Sequence, residues 1–203
     1  MNYNELASKE TIEKTILALK QNGIEALVVQ NGEEAKQKVL KFLPKGAEVI
    51  TMTSVSLNTL GLDKEINESG NYNAVMPKLY AMDRNTQNRE MQKLGAAPAW
   101  AVGSVHAVTE LGQVIVASNT GSQLPAYAYG SGNVVWVVGA QKLVKNLDQG
   151  FKRVFEYVLP LESERARKAY GVPGSNVSKI LVINKELAQG RLTMILVNEV
   201  LGF

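Results

Sequence analysis

The chain has no cysteine, which excludes disulfides, thiol nucleophiles and iron–sulfur ligation by its own residues. A single histidine, His106, argues against a protein-only zinc site of the common kind, and neither a metal nor a cofactor is expected. Long apolar runs are missing too. The longest, Val134 to Ala140 (VVWVVGA), is seven residues, against the roughly 20 that a helix needs to cross a bilayer, so no membrane association is expected. The amino-terminal stretch MNYNELASKETIEKTILALK carries Glu5, Glu10 and Glu13 and no apolar segment, which is unlike a secretory signal; the cytoplasm is the expected location. Charge of one sign is also scarce, with 22 basic residues set against 19 acidic ones for a net charge of +3. Because the two signs are interleaved, a mixed solvated surface is expected rather than a nucleic-acid footprint. What remains is ordinary globular material: 203 residues, 45% hydrophobic and 20% charged, read as one domain over 1–203.

The pattern of that material is α/β. Residues 8 to 22 put Ile12, Ile16 and Leu19 on one stripe before Gly23, an amphipathic helix with a stop signal. The β-branched run EALVVQ follows, then the helical spacing of EEAKQKVLKFL, a break at Pro44 to Gly46, and a second apolar run, AEVITMT. Strand, helix, strand with short loops predicts a βαβ unit, hence a mostly parallel central sheet flanked by helices. Residues 63 to 97 are polar and helix-leaning, closing on DRNTQNREMQKLG. After position 99 the runs AWAVGSV, GQVIVAS and NVVWVVG are too closely spaced for crossover helices, which predicts some antiparallel pairing. Phe151, Val154, Phe155 and Val158 mark a later helix that Pro160 is expected to end or kink. The final runs KILVIN and LTMILVN, joined through Gly190 and Arg191, read as a hairpin.

Two hydroxyl-rich loops follow predicted strands, where parallel sheets bind ligands. In SNTGSQLPA, residues Thr120, Gly121, Ser122 and Gln123 could present backbone N–H groups to a phosphate or carboxylate, or could simply cap a helix and make a turn. In TMTSVSLNTLGL, Thr53 and Ser54 could do the same, with helix capping by Ser54 as the alternative. Between the loops lies SVHAVTELGQ. If it turns rather than extends, His106 and Glu110 reach one site, with Glu110 as base or nucleophile and His106 as proton donor; otherwise they are a structural histidine and a turn residue. Lys142, Arg153 and Arg191 are placed near strand or helix ends where they could hold an anionic substrate, although such residues commonly stay solvated.

Several of these stretches, in this order, resemble the LUD (lactate utilisation) domain family, including its lactate utilisation protein C type. The stretches are TMTSVSLNTLGL, GSVHAVTELGQVIVASNTGSQLP, VVWVVGAQKLVKNLDQGFKRV and GRLTMILVNEVLGF. The resemblance implies an α/β fold similar to the ribose-5-phosphate isomerase, glucosamine-6-phosphate deaminase and CoA-transferase group, with a small anionic metabolite at strand carboxyl ends. CoA-transferase members use a glutamate nucleophile, for which Glu110 is the nearest candidate. It further implies an accessory subunit of L-lactate oxidation to pyruvate, working beside iron–sulfur partner proteins. The alternative is a stand-alone enzyme acting on a sugar phosphate, CoA ester or folate. A homodimer is the base expectation for such a protein.

Overall fold

A computed structural model describes residues 2–203. The chain opens with α1 (Lys9–Gln21), whose N-cap Ser8 accepts the Thr11 N–H and whose buried face carries Ile12, Thr15 and Leu19. Strand β1 (Glu25–Val29) and helix α2 (Gly32–Phe42) follow, the latter begun by the Asn31 side chain, which accepts the Glu34 N–H at 2.9 Å. Removing that cap leaves an N–H of the first turn unpaired, so Asn31→Ala should lower stability by about 1 kcal/mol in a denaturant titration.

Next come β2 (Glu48–Thr51), then α3 (Val55–Thr59), α4 (Leu62–Glu68), the two-residue β3 (Asn73–Ala74), α5 (Val75–Ala81) and α6 (Asn88–Ala96). The polar stretch of residues 63 to 97 is thus three short helices, α4, α5 and α6, and one short strand. Strand β4 (Trp100–Gly103), β5 (Ala107–Thr109), β6 (Val114–Ser118), a π-helical turn at Ala126–Gly130, β7 (Asn133–Gly139) and β8 (Leu143–Val144) make up the closely spaced apolar runs. Helix α7 (Leu147–Lys152) passes through a second π-helical turn (Arg153–Val158) into α8 (Leu159–Tyr170), and β9 (Lys179–Ile183) and β10 (Leu192–Val197) close the chain.

The strands form two sheets. The larger runs β1-β10-β7-β4-β2-β3, every pair parallel. Its middle strands are covered on both faces, as parallel strands between helices must be: Val134 to Val138 and Leu192 to Val197, apart from Thr193, are buried, with Trp136 packed edge-on against Tyr127 at 5.4 Å. The smaller sheet, β8-β5-β6-β9, is mixed: β6 pairs antiparallel with β5 and β9, and β5 pairs parallel with β8. Ala107, Ile115, Ala117, Val144 and Val154 form its own core against the α7 region.

One expectation is corrected and a second is narrowed. The last two strands are no hairpin: β10 sits inside the large sheet between β1 and β7, while β9 pairs with β6 in the small one. Burial decides this, because LTMILV is apolar on both faces and suits a central strand, whereas β9 is only partly covered. Of the two outcomes expected at Pro160, an end or a kink, the end does not occur. The π turn just before it widens the hydrogen-bond ladder where the proline offers no N–H, and the helix runs on to Tyr170, ending at Gly171 with φ 67°. No helix among the described residues is long and apolar enough to cross a membrane.

Candidate functional site at the junction of the two sheets

In a parallel sheet all carboxyl ends share one edge, and here the segments after four adjacent strands bring three side chains and one backbone carbonyl to it. Past β2, α3 supplies Ser56; past β4 comes Ser104; past β7 comes Lys142; past β10 comes the Leu201 carbonyl. Lys142 is 2% exposed, and its Nζ donates to Ser56 Oγ and Ser104 Oγ at 3.1 Å each and to the Val105 carbonyl at 3.2 Å. Ser56 Oγ in turn donates to the Leu201 carbonyl at 3.2 Å. Gln141 fastens the carboxy-terminal segment, donating to Leu201 O at 3.1 Å and Gly202 O at 3.0 Å and accepting the Leu201 N–H at 3.2 Å. Burial, and next the positive charge of Arg153, push the Lys142 ammonium from its ordinary 10.5 down to about 7.

The two connectors that carry this cluster, Ser104–His106 and Ala140–Lys142, are also the passages from the large sheet to the small one. His106 lies half-buried on the first of them. Its Nδ1 accepts the Ala117 N–H at 3.1 Å, which puts the imidazole proton on Nε2. Burial, then Lys142 and Arg153, push its pKa from 6.5 down to about 3, so the ring is neutral at physiological pH.

Arg153 begins the π turn after α7 and has no exposed surface. One of its nitrogens, Nη1, donates to the His106 carbonyl at 2.6 Å, while Nε and Nη2 have no partner among the described residues. The rings of Tyr157 and Tyr3 lie 5.2 Å and 6.0 Å from the guanidinium carbon. Burial pushes the guanidinium from 12.5 to about 10, which leaves it charged at neutral pH. Neither Arg153 nor Lys142 forms an ion pair with a carboxylate among the described residues. Two buried cations without a counter-charge are costly unless something anionic joins them.

The other residues singled out from the sequence fall elsewhere. Glu110 and His106 are not brought together, because the intervening Ala107–Thr109 is extended as β5, which separates the two Cα atoms by roughly 13 Å. Glu110 sits in the β5–β6 turn and accepts the Lys14 ammonium of α1 at 2.7 Å. Arg191 is at the amino end of β10, away from the carboxyl edge. Its guanidinium is spent on Glu186 and on the carbonyls of Tyr127, Ala128 and Ser131, so it fastens the first π turn. Thr120, Gly121, Ser122 and Gln123 follow β6 in the small sheet: Ser118 Oγ accepts the Gly121 N–H, Gln123 Nε2 donates to the Ala117 carbonyl, and Lys179 Nζ donates to the Thr120 carbonyl.

Thr53 and Ser54 line a cleft of about 310 Å³ together with Asn58, Asn67, Tyr80 and Arg165. Ser54 is at the same time the N-cap of α3, accepting the Leu57 N–H, so the capping reading holds and the cleft is formed around it. Lys142 and Arg153 are both buried, unlike solvated surface charges. Ser104 was missed, and so was the pairing of Ser56 with Lys142; the available signal was a hydroxyl just after each of two short apolar runs. No group of His, Asp and Glu among the described residues is arranged to hold a metal ion.

Fold and site together define a class: an α/β protein with a parallel sheet whose polar groups converge at strand carboxyl ends. The chain belongs to the LUD domain family, whose family model matches residues 12–197. Among solved structures it is similar to a DUF162 family protein from Deinococcus radiodurans, determined at 1.70 Å, with 13% identity, a TM-score of 0.59, and coverage of 96% of this chain and 100% of that one. At that identity the likeness is one of fold. No curated protein matches the chain in sequence.

Proposed function

We propose that this LUD-domain chain serves the oxidation of L-lactate to pyruvate as an accessory component that holds a small carboxylate-bearing metabolite where its two sheets meet. The observation that carries the reading is Arg153: wholly buried, charged, with Nε and Nη2 unpaired and no carboxylate beside it. A carboxylate would take both free nitrogens in the paired geometry that guanidinium favours. His106, neutral with its proton on Nε2, could donate a further hydrogen bond. Lacking cysteine, the chain has no thiolates for an iron–sulfur cluster, so the electrons of the oxidation would pass to an iron–sulfur partner. The link to lactate rests on the family; the anion rests on the geometry.

The test is thermal denaturation with L-lactate, pyruvate, inorganic phosphate and chloride, on the wild type and on Arg153→Met. Methionine fills much of the arginine's volume without its charge, so the variant should stay folded. A carboxylate at 100 times its dissociation constant should stabilise the wild type by about 2.7 kcal/mol and leave the variant unmoved. Equal shifts in both proteins would remove Arg153 from the site. Copurification with iron–sulfur proteins, assayed in parallel, tests the accessory role.

A further inference from the structure

The hydrogen bonds around Lys142 discriminate between its two hydroxyl neighbours. A protonated ammonium needs three acceptors and finds them in Ser56 Oγ, Ser104 Oγ and the Val105 carbonyl. A neutral amine has two protons and a lone pair, so one neighbour must become the donor. The Val105 carbonyl cannot. Ser56 has one proton, and the Leu201 carbonyl at 3.2 Å is the better placed of its two acceptors, the other being Ser104 Oγ at 3.3 Å. That leaves Ser104, whose proton can lie along the 3.1 Å line to Nζ. Exposure separates the serines in the same sense: Ser56 is 1% exposed, whereas Ser104 is half-buried. The groups facing Lys142 include Arg153, which disfavours its charged form, and no carboxylate among the described residues pairs with it. A hydroxyl joined to a neutral lysine has the arrangement of an activated nucleophile.

We propose that Ser104 is a nucleophile with Lys142 as its base, and that the chain accepts and hydrolyses a small acyl group from an activated ester or thioester. Ser104 Oγ forms the bond to the acyl carbon as its proton passes to Lys142 Nζ. The carbon–oxygen or carbon–sulfur bond of the substrate breaks, and the leaving alkoxide or thiolate takes the proton from Nζ. Water then attacks the acyl-serine, gives a proton to Lys142, and is released as the carboxylic acid while Ser104 recovers its hydrogen. Ser56 is a positioning residue that holds the amine through its Oγ. This inference does not depend on the anion site at Arg153, and the two fail separately: one is read by ligand-induced stabilisation, the other by covalent labelling.

The experiment treats the folded wild type, Ser104→Ala and Lys142→Met with a fluorophosphonate probe, using intact-mass and peptide analysis, and follows p-nitrophenyl acetate hydrolysis across pH 5 to 9.5. The expected result is one added group on the peptide containing Ser104, with a labelling rate that falls about tenfold per pH unit below about 7 as the lysine protonates. Both variants should lose at least 100-fold in rate, the scale expected for removing a base or its nucleophile. Three results would overturn the proposal: no label on folded wild type at pH 9, label at another residue that persists in Ser104→Ala, or a rate that does not change between pH 5 and 9. If Lys142→Met fails to fold, the pH profile of the wild type and the site of labelling still decide, because a lysine that merely pins the strand ends would produce neither.

Discussion

Between pH 7 and 9.5 this protein should become more stable by on the order of 3 kcal/mol, a rise that few proteins show in alkali. The cause is Lys142. Its ammonium titrates at about 7 when folded and near its ordinary 10.5 when unfolded. In the interval the unfolded chain therefore binds a proton that the folded one has released, and stability climbs with pH at about 1.4 kcal/mol per unit. Below the folded value the full cost of burying the charge is present; above the unfolded value it has vanished. Tyrosines set the upper limit of the window, because burial raises the folded pKa of Tyr127, Tyr3 and Tyr72, and above pH 10 their ionisation favours the unfolded chain. On the acid side His106 acts in the same sense, its folded pKa of about 3 lying below 6.5, so stability falls again as pH drops from 6.5 towards 3. Urea midpoints at half-unit steps of pH, for the wild type and Lys142→Met, measure this directly. The variant should lose the slope above pH 7 and keep the one below 6.5. Parallel curves for the two proteins above pH 7 would show that the lysine is not the source.

Gly139→Ala should cost about 3 kcal/mol, at the upper end of what overpacking a filled core produces. Gly139 is the last residue of β7, and a Cβ there would lie 2.1 Å from Gln141 Oε1, 2.7 Å from the Leu201 nitrogen and 2.9 Å from the Glu199 carbonyl oxygen. Two of these three are backbone, so rotating one side chain does not relieve the contact. What must give is the Gln141 clamp on Leu201, and with it the carbonyl that Ser56 uses. Gly132→Ala is the control: its nearest neighbour would be the Ala99 carbonyl oxygen at 3.5 Å, an ordinary contact, and its effect should stay below about 1 kcal/mol. Beyond the loss in stability, Gly139→Ala should raise amide exchange at Leu201 and Gly202 more than at β1. An unaltered melting temperature would mean that the strand end is looser than its packing indicates.

The periodic elements were legible because their signals are local. Ile12, Ile16 and Leu19 mark α1, the spacing of EEAKQKVLKFL marks α2, and the apolar runs NVVWVVG and LTMILVN mark β7 and β10 as strands. What sequence could not supply was which sheet each late strand joins. KILVI and LTMILV look alike in composition, and only long-range burial sorts β9 to an edge beside β6 and β10 to the centre. The candidate site was half visible for the same reason. Lys142 and Arg153 were noted as basic residues near element ends, but nothing local reveals that both are buried, since that follows from two sheets meeting over them. Ser104 lies in the same stretch as His106, whose side chain is the stronger local signal of chemistry. The histidine–glutamate pairing failed on a single conformational choice, extension of Ala107–Thr109 instead of a turn.

The π turn at Arg153–Val158 works as a phase setter. A π turn lodges one more residue than an α-helix would carry through the same advance, and one residue is roughly 100° of helical rotation. Upstream of it the helix packs against the small sheet; downstream, α8 turns Arg165 towards the cleft beside Thr53 and Ser54. Deleting a single residue from that turn would leave a regular helix of nearly the same length, yet Arg153 and Arg165 could no longer both face their present neighbours. The two regions are geared to each other by one surplus residue, with no direct contact needed between them.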